Sequence, residues 1–138
     1  MTRKQKSFFE AAEAMSKTSE FPRVHIGCVV TNGNHRIISS GVNSTKTHPI
    51  QKKYNAERFD VDICTQHSLH AELDALLPLL KEDIDFSKVE LYTYRELADG
   101  TMAMSRPCPS CMKLIKDLGI RNIYYTTQDG YVHEEIEY

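Results

Sequence analysis

The hydrophobic and polar positions of the first forty residues predict a helix followed by a β-hairpin. Residues 4–17 place Phe8, Ala12 and Met15 on one face of a helix. Two short apolar runs follow at 24–31 and 36–42, and the "NGNH" between them is a turn signal. We therefore expect two strands joined by a tight turn.

After this hairpin, the pattern predicts a long loop and then alternating helices and strands. Residues 43–68 are polar and irregular, which predicts a loop with room for a short helix. Residues 69–77 predict a helix that Pro78 ends, and residues 88–95 alternate as a strand. A further helix should run from Pro107 to Leu118, with Gly119 as its stop. Residues 120–127 and 131–138 are predicted as strands around a "QDG" hairpin turn.

This order of elements predicts an α/β fold in a single domain over residues 1–138. A chain of 138 residues suits one domain. Because helices separate several of the strands, some neighbouring strands should be parallel. The last connection is too short for a crossover, so the final strand should run antiparallel to its predecessor. We expect a mixed sheet with helices on its faces.

Composition and charge bear on partners and compartment. The net charge is 17 − 19 = −2, but residues 1–58 carry ten Lys and Arg against four Asp and Glu, and residues 59–138 carry seven against fifteen. A basic half can attract phosphates, although two differently charged solvated surfaces explain the split equally well. The sequence has no run of 18 apolar residues, and its basic N-terminus lacks the apolar core of a secretory signal. We therefore expect a cytoplasmic protein without a membrane span.

The clearest chemical signal is "PCPSC", where Cys108 and Cys111 stand at the start of a predicted helix. Such a pair can be a disulfide, a redox dithiol, half of a zinc site or two buried thiols, and a cytoplasmic compartment disfavours the disulfide. His70, at the start of the preceding helix, would give three ligands and leave a fourth position open, as in catalytic zinc sites. Glu72 offers a carboxylate that could take a proton from a water whose pKa zinc lowers. This combination suits hydrolytic loss of ammonia from an amino-substituted ring.

These residues carry a resemblance to a known family. "HAE" at 70–72 and "PCPSC" at 107–111 resemble the H-x-E … P-C-x-x-C signature of the cytidine deaminase-like superfamily of zinc-dependent deaminases. The similarity covers most of the chain. It implies a three-layer α/β/α sandwich with a five-stranded mixed sheet, Zn²⁺ bound by His70, Cys108 and Cys111, and Glu72 as the catalytic proton shuttle.

The resemblance also implies where a substrate would bind. "SGVN" is similar to the family's second strand and its substrate-contacting asparagine, here Asn43. The other expected substrate-binding residues adjoin the zinc ligands: Ala71, Ser105, Arg106 and Pro107. For Arg106 the alternative is that its side chain reaches a phosphate of the substrate. "ELADGTMAMSR" at 96–106 replaces a shorter link found in many relatives, and we expect it to form a hairpin beside the pocket, similar to phage and viral deaminase-like proteins.

The resemblance implies an enzyme acting on a cytosine nucleotide or nucleoside, with dCMP to dUMP plus ammonia as the leading reaction. The antiparallel last strand resembles free-nucleoside cytidine deaminases, whereas the chain length and N-terminal helix resemble deoxycytidylate deaminases. The alternative is a cytosine deaminase acting on single- or double-stranded DNA or RNA, with the basic half and the 96–106 hairpin as a channel. A non-catalytic zinc module, closed by Cys64 or His67, is a third hypothesis. Because relatives usually self-associate, we expect a homo-oligomer.

The long loop contains further candidates. It could bind phosphate through Lys46, His48, Lys52 and Lys53, or be an ordinary solvated loop. A second metal site could be formed by Cys64 and His67 with Cys28 or His48. The alternative is that Cys28 is a small core residue in its strand and that the loop residues bind no metal.

Overall fold

The computed structural model describes residues 1–21, 23–47, 49 and 68–137. The chain begins with helix α1 (Arg3–Ser16), followed by the hairpin of strands β1 (Val24–Asn32) and β2 (Arg36–Val42). Thr2 caps α1, because its side chain accepts a hydrogen bond from the Gln5 amide while the Gln5 side chain accepts one from the Thr2 amide. The predicted helix and hairpin are confirmed to within one residue at each boundary.

The prediction of an irregular loop over residues 43–68 is wrong at both ends of that segment, where the structure has short strands. Strand β3 (Ser44–Thr47) pairs antiparallel with strand β4 (Ser68–Leu69), and the two form a small separate sheet. Their pairing joins distant segments through the backbone, which a polar sequence pattern does not reveal. The middle of the predicted loop lies outside the described residues, together with its short helix and the side chains of Lys46, His48, Lys52, Lys53, Cys64 and His67.

The remaining elements follow the predicted alternation of helix and strand. They are α2 (Ala71–Leu76), a 3₁₀ turn (Leu77–Leu79), a second 3₁₀ turn (Phe86–Lys88), β5 (Val89–Leu97), β6 (Met102–Ala103), α3 (Pro109–Leu118), β7 (Asn122–Thr127) and β8 (Gly130–Glu135). Gly119 ends α3 in the left-handed conformation, with φ of 89°. Across the described part of the chain, every helix is too short or too polar to span a membrane.

The main sheet has the strand order β2-β1-β5-β7-β8, and β6 pairs with the end of β5. Strands β5 and β7 are parallel, with Leu91 opposite Ile123, because α3 forms a crossover between them. The other pairs of this sheet are antiparallel, including β7 with β8. The predicted mixed sheet with an antiparallel last strand is therefore confirmed.

Helices cover both faces of the sheet. On one face, α1 packs its Phe8 and Phe9 against Tyr92, Tyr94 and Tyr124. On the other face, α2 and α3 bury a larger aliphatic cluster: Leu73, Leu76, Leu114 and Ile115 against Val30, Leu91 and Ile123. Cys28 belongs to this second cluster and is fully buried, as predicted for a small core residue. The three-layer α/β/α sandwich is confirmed.

Candidate metal centre and active site

The site is built on the starts of α2 and α3, which lie on the same face of the sheet. His70 and Cys108 are the N-cap residues of these helices and have extended backbone conformations. Their carbonyl oxygens accept the first helical hydrogen bonds, from Asp74 at 3.0 Å and from Met112 at 2.8 Å. Both side chains therefore project from fixed positions at the positive ends of helices, where a thiolate is favoured.

The position of α2 depends on its close approach to β2 at Gly41. A Cβ atom added at Gly41 would lie 2.6 Å from the Ala71 carbonyl oxygen. The Val42 amide donates to the Asp74 carboxylate at 3.0 Å, and the Ser39 hydroxyl donates to the Ala75 carbonyl at 2.6 Å. The helix that contains Glu72 and follows His70 is thus held directly against the sheet backbone.

The structure brings together His70, Cys108 and Cys111, the three ligands predicted from the sequence. The His70 Nδ1 atom lies 3.3 Å from the Cys111 Sγ and 3.4 Å from the Cys108 Sγ. All three ligand atoms lie within 4.8 Å of one another. Nitrogen and sulfur ligands arranged tetrahedrally around one zinc ion, at about 2.0–2.3 Å, stand roughly 3.5 Å apart. The group therefore fits a zinc ion in both chemistry and spacing.

The two cysteines are strongly coupled. Hydrogen bonding from the Cys111 thiol lowers the pKa of Cys108 to about 3, and hydrogen bonding and charge from His70 act in the same direction. Hydrogen bonding to Cys108, together with burial, raises the pKa of Cys111. Ser110 adds a contact at 3.0 Å between its hydroxyl and the Cys108 Sγ. A lowered pKa favours the thiolate form of Cys108, which is the form that binds a metal cation.

Glu72 is a buried carboxyl group beside this cluster. It is the second residue of α2, and only 5% of its surface is exposed. Burial raises the pKa of Glu72, while the charge of His70 opposes the rise. A carboxyl group with a raised pKa can hold a proton closer to neutral pH than an exposed one, which is the property of a general acid or base.

A cavity of about 200 Å³ opens onto these groups. Its metal wall consists of His70, Glu72 and Cys108, with Cys111 completing the ligand set. Its strand wall consists of Arg95 from β5 and residues 104–106, which lead from β6 to α3. Further contacts to the cavity come from Phe21, Val24, Ile26, Asn43 and Leu69. The cavity gives a small molecule access to both Glu72 and the cysteine thiolate.

The expected hairpin at 96–106 is present and forms the strand wall. Strand β6 pairs with β5 through Arg95 opposite Ala103, and the chain then returns to the cavity at Met104. Ser105 connects this return to β7, because its amide donates to the Thr126 carbonyl at 2.9 Å and its hydroxyl accepts from the Thr126 amide at 2.7 Å. The hydroxyl also donates to the Thr93 carbonyl at 2.8 Å. The Ser105 side chain therefore fixes the wall to the sheet.

Arg106 lines the cavity but is paired with the last strand. Its Nε and Nη2 atoms donate to the two carboxylate oxygens of Glu134 at 2.8 and 2.9 Å. The Tyr125 hydroxyl donates to the same carboxylate at 3.0 Å. These hydrogen bonds, with that from Arg106 the largest cause, lower the pKa of Glu134. Arg106 thus anchors the strand wall to β8 through a two-point ion pair.

Comparison with known proteins identifies the family. The family model described as "Cytidine and deoxycytidylate deaminase zinc-binding region" matches residues 2–127. The chain belongs to this family. Membership supports an enzyme that acts on cytosine compounds and makes Zn²⁺ its cofactor, for which His70, Cys108 and Cys111 are the group among the described residues that could hold the ion.

Individual relatives agree with this deaminase family. "Uncharacterized deaminase in luxG 3'region" of Aliivibrio fischeri is 29% identical over 123 residues, which cover 89% of this chain and 72% of the relative. The apo structure of dCMP deaminase from the cyanophage S-TIM5 matches with a TM-score of 0.63 and 27% identity, over 92% of this chain and 86% of that one. Cytidine deaminase from Burkholderia pseudomallei matches with a TM-score of 0.64 over 98% and 93% of the two chains. At 15% sequence identity, this match shows that the two proteins share a fold and nothing more.

Asn43, expected to contact substrate, lies at the cavity of the deaminase with its side chain already hydrogen bonded. Its Oδ1 atom accepts from the Ser19 hydroxyl at 2.6 Å and from the Ile26 amide at 2.9 Å. Its Nδ2 atom donates to the Val24 carbonyl at 3.1 Å. Asn43 therefore also fixes the beginning of β1. Ala71 and Pro107, the other two expected contacts, are buried next to the ligands His70 and Cys108.

Sequence reasoning missed Arg95, which lines the deaminase cavity. Its signal was the two-residue alternation of β5. Leu91 faces α2 and α3 whereas Tyr92 and Tyr94 face α1, so Arg95 shares the face of Leu91. An arginine on the covered face of a strand is a strong sign of a function, because arginine is rarely found there without a partner.

Proposed function

We propose that this protein hydrolytically deaminates a cytosine nucleotide, with dCMP as the leading substrate. In that reaction dCMP and water give dUMP and ammonia. The observation that carries the proposal is the buried carboxyl group of Glu72 in one small cavity with His70 and Cys108, which with Cys111 form a group suited to zinc. This arrangement serves hydrolysis, since it combines a metal centre with a proton carrier.

The three ligands would hold the ion through His70 Nδ1 and the two cysteine sulfurs. Zinc in such a site lowers the pKa of a water molecule to near neutrality and so supplies a nucleophile. Because the described residues contribute three ligands, a fourth position would remain for that water. The third hypothesis from the sequence, closure by Cys64 or His67, falls on residues outside the described part of the chain.

Glu72 would carry the protons. Its carboxylate would take one proton from the attacking water and deliver it to N3 of the cytosine ring. It would then take the second proton of the same oxygen and deliver it to the amine, which leaves as ammonia when the bond between carbon and nitrogen breaks. The raised pKa of Glu72 supports both halves of this cycle, because a carboxyl group that is too acidic would release the proton to solvent before transferring it.

The remaining lining would orient the ring and sugar. We propose that Asn43 uses the second N–H of its amide for the sugar, since the first is bonded to Val24. The backbone at Ala71, Ser105, Arg106 and Pro107 would border the base. Support for a nucleotide comes from the cyanophage dCMP deaminase, which has also been solved with dCMP and dUMP.

A substrate panel combined with a change at Glu72 tests the proposal. We expect the metal-replete protein to deaminate dCMP in preference to CMP, deoxycytidine, cytidine, cytosine and adenosine. Glu72→Gln should lower kcat by at least about 100-fold while zinc content stays at the wild-type level, because proton transfer is lost and the ligands are kept. Glu82→Gln, an exposed glutamate outside this cavity, is the matched control.

Three results would contradict the proposal. They are wild-type turnover by Glu72→Gln, loss of zinc from that variant, and no turnover of any cytosine substrate by the wild type. Single- and double-stranded oligonucleotides belong in the same panel. A polynucleotide deaminase should prefer them and lose affinity steeply with added salt, whereas a mononucleotide reaction should respond weakly.

A further inference from the structure

Arg95 occupies a particular place in the strand wall. It lies near the carboxyl end of β5, opposite Ile26 of β1 and Ala103 of β6, and its side chain lines the cavity that contains Glu72 and Cys108. It is an interior residue of a strand with neighbours on both sides. Its backbone is therefore fixed, and only the side chain can adapt to a bound molecule.

The side chain of Arg95 is poorly satisfied in the structure. Its Nη1 atom donates to the Met104 carbonyl at 3.2 Å. Its Nε atom is buried and has no hydrogen-bond partner among the described residues. A buried N–H group without a partner costs on the order of 1–3 kcal/mol, so native structures usually supply one. Because the guanidinium makes one hydrogen bond to the residues that the structure describes, reorienting it towards a ligand breaks only that bond.

The charge of Arg95 has no ion-pair partner among the described residues. The ion pairs formed within the described part of the chain do not include it, whereas Arg106, on the same wall, is bound at two points by Glu134. A guanidinium remains protonated at all physiological pH values. The strand wall therefore presents one positive charge that a ligand can neutralise.

We propose that Arg95 binds the 5′-phosphate of the nucleotide, so that it determines selection of nucleotides over nucleosides. A neutral ring carbonyl would accept a hydrogen bond from one N–H group but would not neutralise the positive charge. Phosphate oxygens would accept hydrogen bonds from the planar guanidinium and would also neutralise its charge. This inference rests on the proposed function, since it assigns a phosphate to the substrate of the same cavity. Arg95 would be a specificity-determining residue that takes no part in proton transfer.

The first test compares dCMP with deoxycytidine in Arg95→Met, which keeps most of the side-chain length but removes the charge and donors. We expect kcat/KM for dCMP to fall about 10- to 100-fold, the loss typical of a charge-assisted hydrogen bond. The kcat/KM for deoxycytidine should change less than about threefold. Arg95→Lys should recover part of the dCMP activity. Arg121→Met is the matched control, because Arg121 is an exposed arginine immediately before β7.

The second test measures product binding, which requires no turnover. By calorimetry, Arg95→Met should weaken binding of dUMP and leave binding of deoxyuridine unchanged, with the same zinc content as the wild type. If the wild type deaminates no cytosine compound, the proposed reaction fails, while this binding difference still decides the role of Arg95. The thermal unfolding temperature of Arg95→Met should not be lower than that of the wild type, because the change removes a buried donor that has no partner among the described residues.

Two outcomes would overturn the inference. Equal losses with dCMP and deoxycytidine, or with dUMP and deoxyuridine, would mean that Arg95 acts on the base or on the fold. A loss confined to oligonucleotide substrates would assign the bound phosphate to a polynucleotide backbone, and the 5′-phosphate of a free nucleotide would then be excluded.

Discussion

The metal wall and the strand wall of the cavity are built in different ways. The metal wall takes its residues from two helix starts, and within each start the functional residues are two or three positions apart: His70 with Glu72, and Cys108 with Cys111. The strand wall depends on contacts across the sheet. Ser105 is fixed by Thr126 of β7, and Arg106 is fixed by Glu134 of β8.

This difference separates two tasks. Local spacing within each helix start fixes how the functional residues of that start lie relative to one another, which suits a metal centre. Residues that are held by contacts between strands can be substituted one at a time without changing the metal ligands, which suits the recognition of different substrates. We therefore expect damage to the metal wall to abolish every reaction of the cavity, and damage to the strand wall to alter which substrate is preferred.

The largest effect should come from removing a ligand in the metal wall. Cys111→Ser replaces a sulfur donor by a poorer hydroxyl donor, and we expect zinc affinity to fall by at least about 100-fold, since even changes next to ligands cost 10- to 100-fold. Turnover of all substrates should disappear together. Zinc content measured by elemental analysis, beside the activity panel, checks this prediction.

Cys28→Ala provides the matched control, because Cys28 is an equally buried cysteine on the same side of the sheet. It should keep the wild-type zinc content. Normal zinc binding by Cys111→Ser, or substrate-dependent loss of activity in that variant, would remove the proposed distinction between the two walls.

A smaller effect should follow from pushing the metal wall away from the sheet. Gly41→Ala places a methyl group against the backbone of α2 at Ala71, so we expect a loss of about 1–3 kcal/mol in the free energy of unfolding. Because His70 caps this helix, zinc affinity should fall with stability. Denaturant unfolding and zinc titration measure the two quantities.

Gly100→Ala is the corresponding change in the turn of the strand wall. Gly100 has φ of 88° with no atom close to an added Cβ, so its cost is backbone strain of about 1–2 kcal/mol. Zinc affinity should stay unchanged in this variant. If both glycine variants weakened zinc binding equally, the metal wall would not be the separate unit that its contacts indicate.

The sequence was sufficient to predict the metal wall. Short motifs and helix-start signals placed His70, Cys108 and Cys111 together, and the structure brings their ligand atoms within 4.8 Å. The antiparallel β8 was also predictable, because the connection between β7 and β8 is too short for a crossover. The first inference depends on two short motifs, each of which spans a few residues, and the second depends on the length of one short connection.

The strand wall could not be predicted in the same way. The partner of Arg106 is 28 positions away on β8, and their meeting depends on the register of three strands. The amide of Asn43 likewise binds Val24 and Ile26 on a neighbouring strand, and β3 pairs with β4 across a long intervening segment. Sequence patterns give the direction of a side chain but do not give its cross-strand partner.

The smallest effect should come from the ion pair between Arg106 and Glu134, and it should depend on pH. The pKa of Glu134 is lowered in the folded protein, so the pair stabilises the fold above the unfolded pKa of about 4.5 and its contribution is lost as pH falls through the lower, folded value. Arg106 is 48% exposed, so solvent screening limits the contribution to about 1 kcal/mol.

Glu134→Gln should therefore be less stable than the wild type at pH 7, and the two unfolding curves should converge as the pH falls from 4.5 towards 3. Glu135→Gln, an exposed neighbour on the same strand, should show no such pH-dependent difference. The same Glu134 variant should keep its zinc, because the pair belongs to the strand wall. A difference in stability that persisted unchanged at pH 3 would mean that Glu134 stabilises β8 by packing, and Arg106 would then be held in the cavity by something other than its charge.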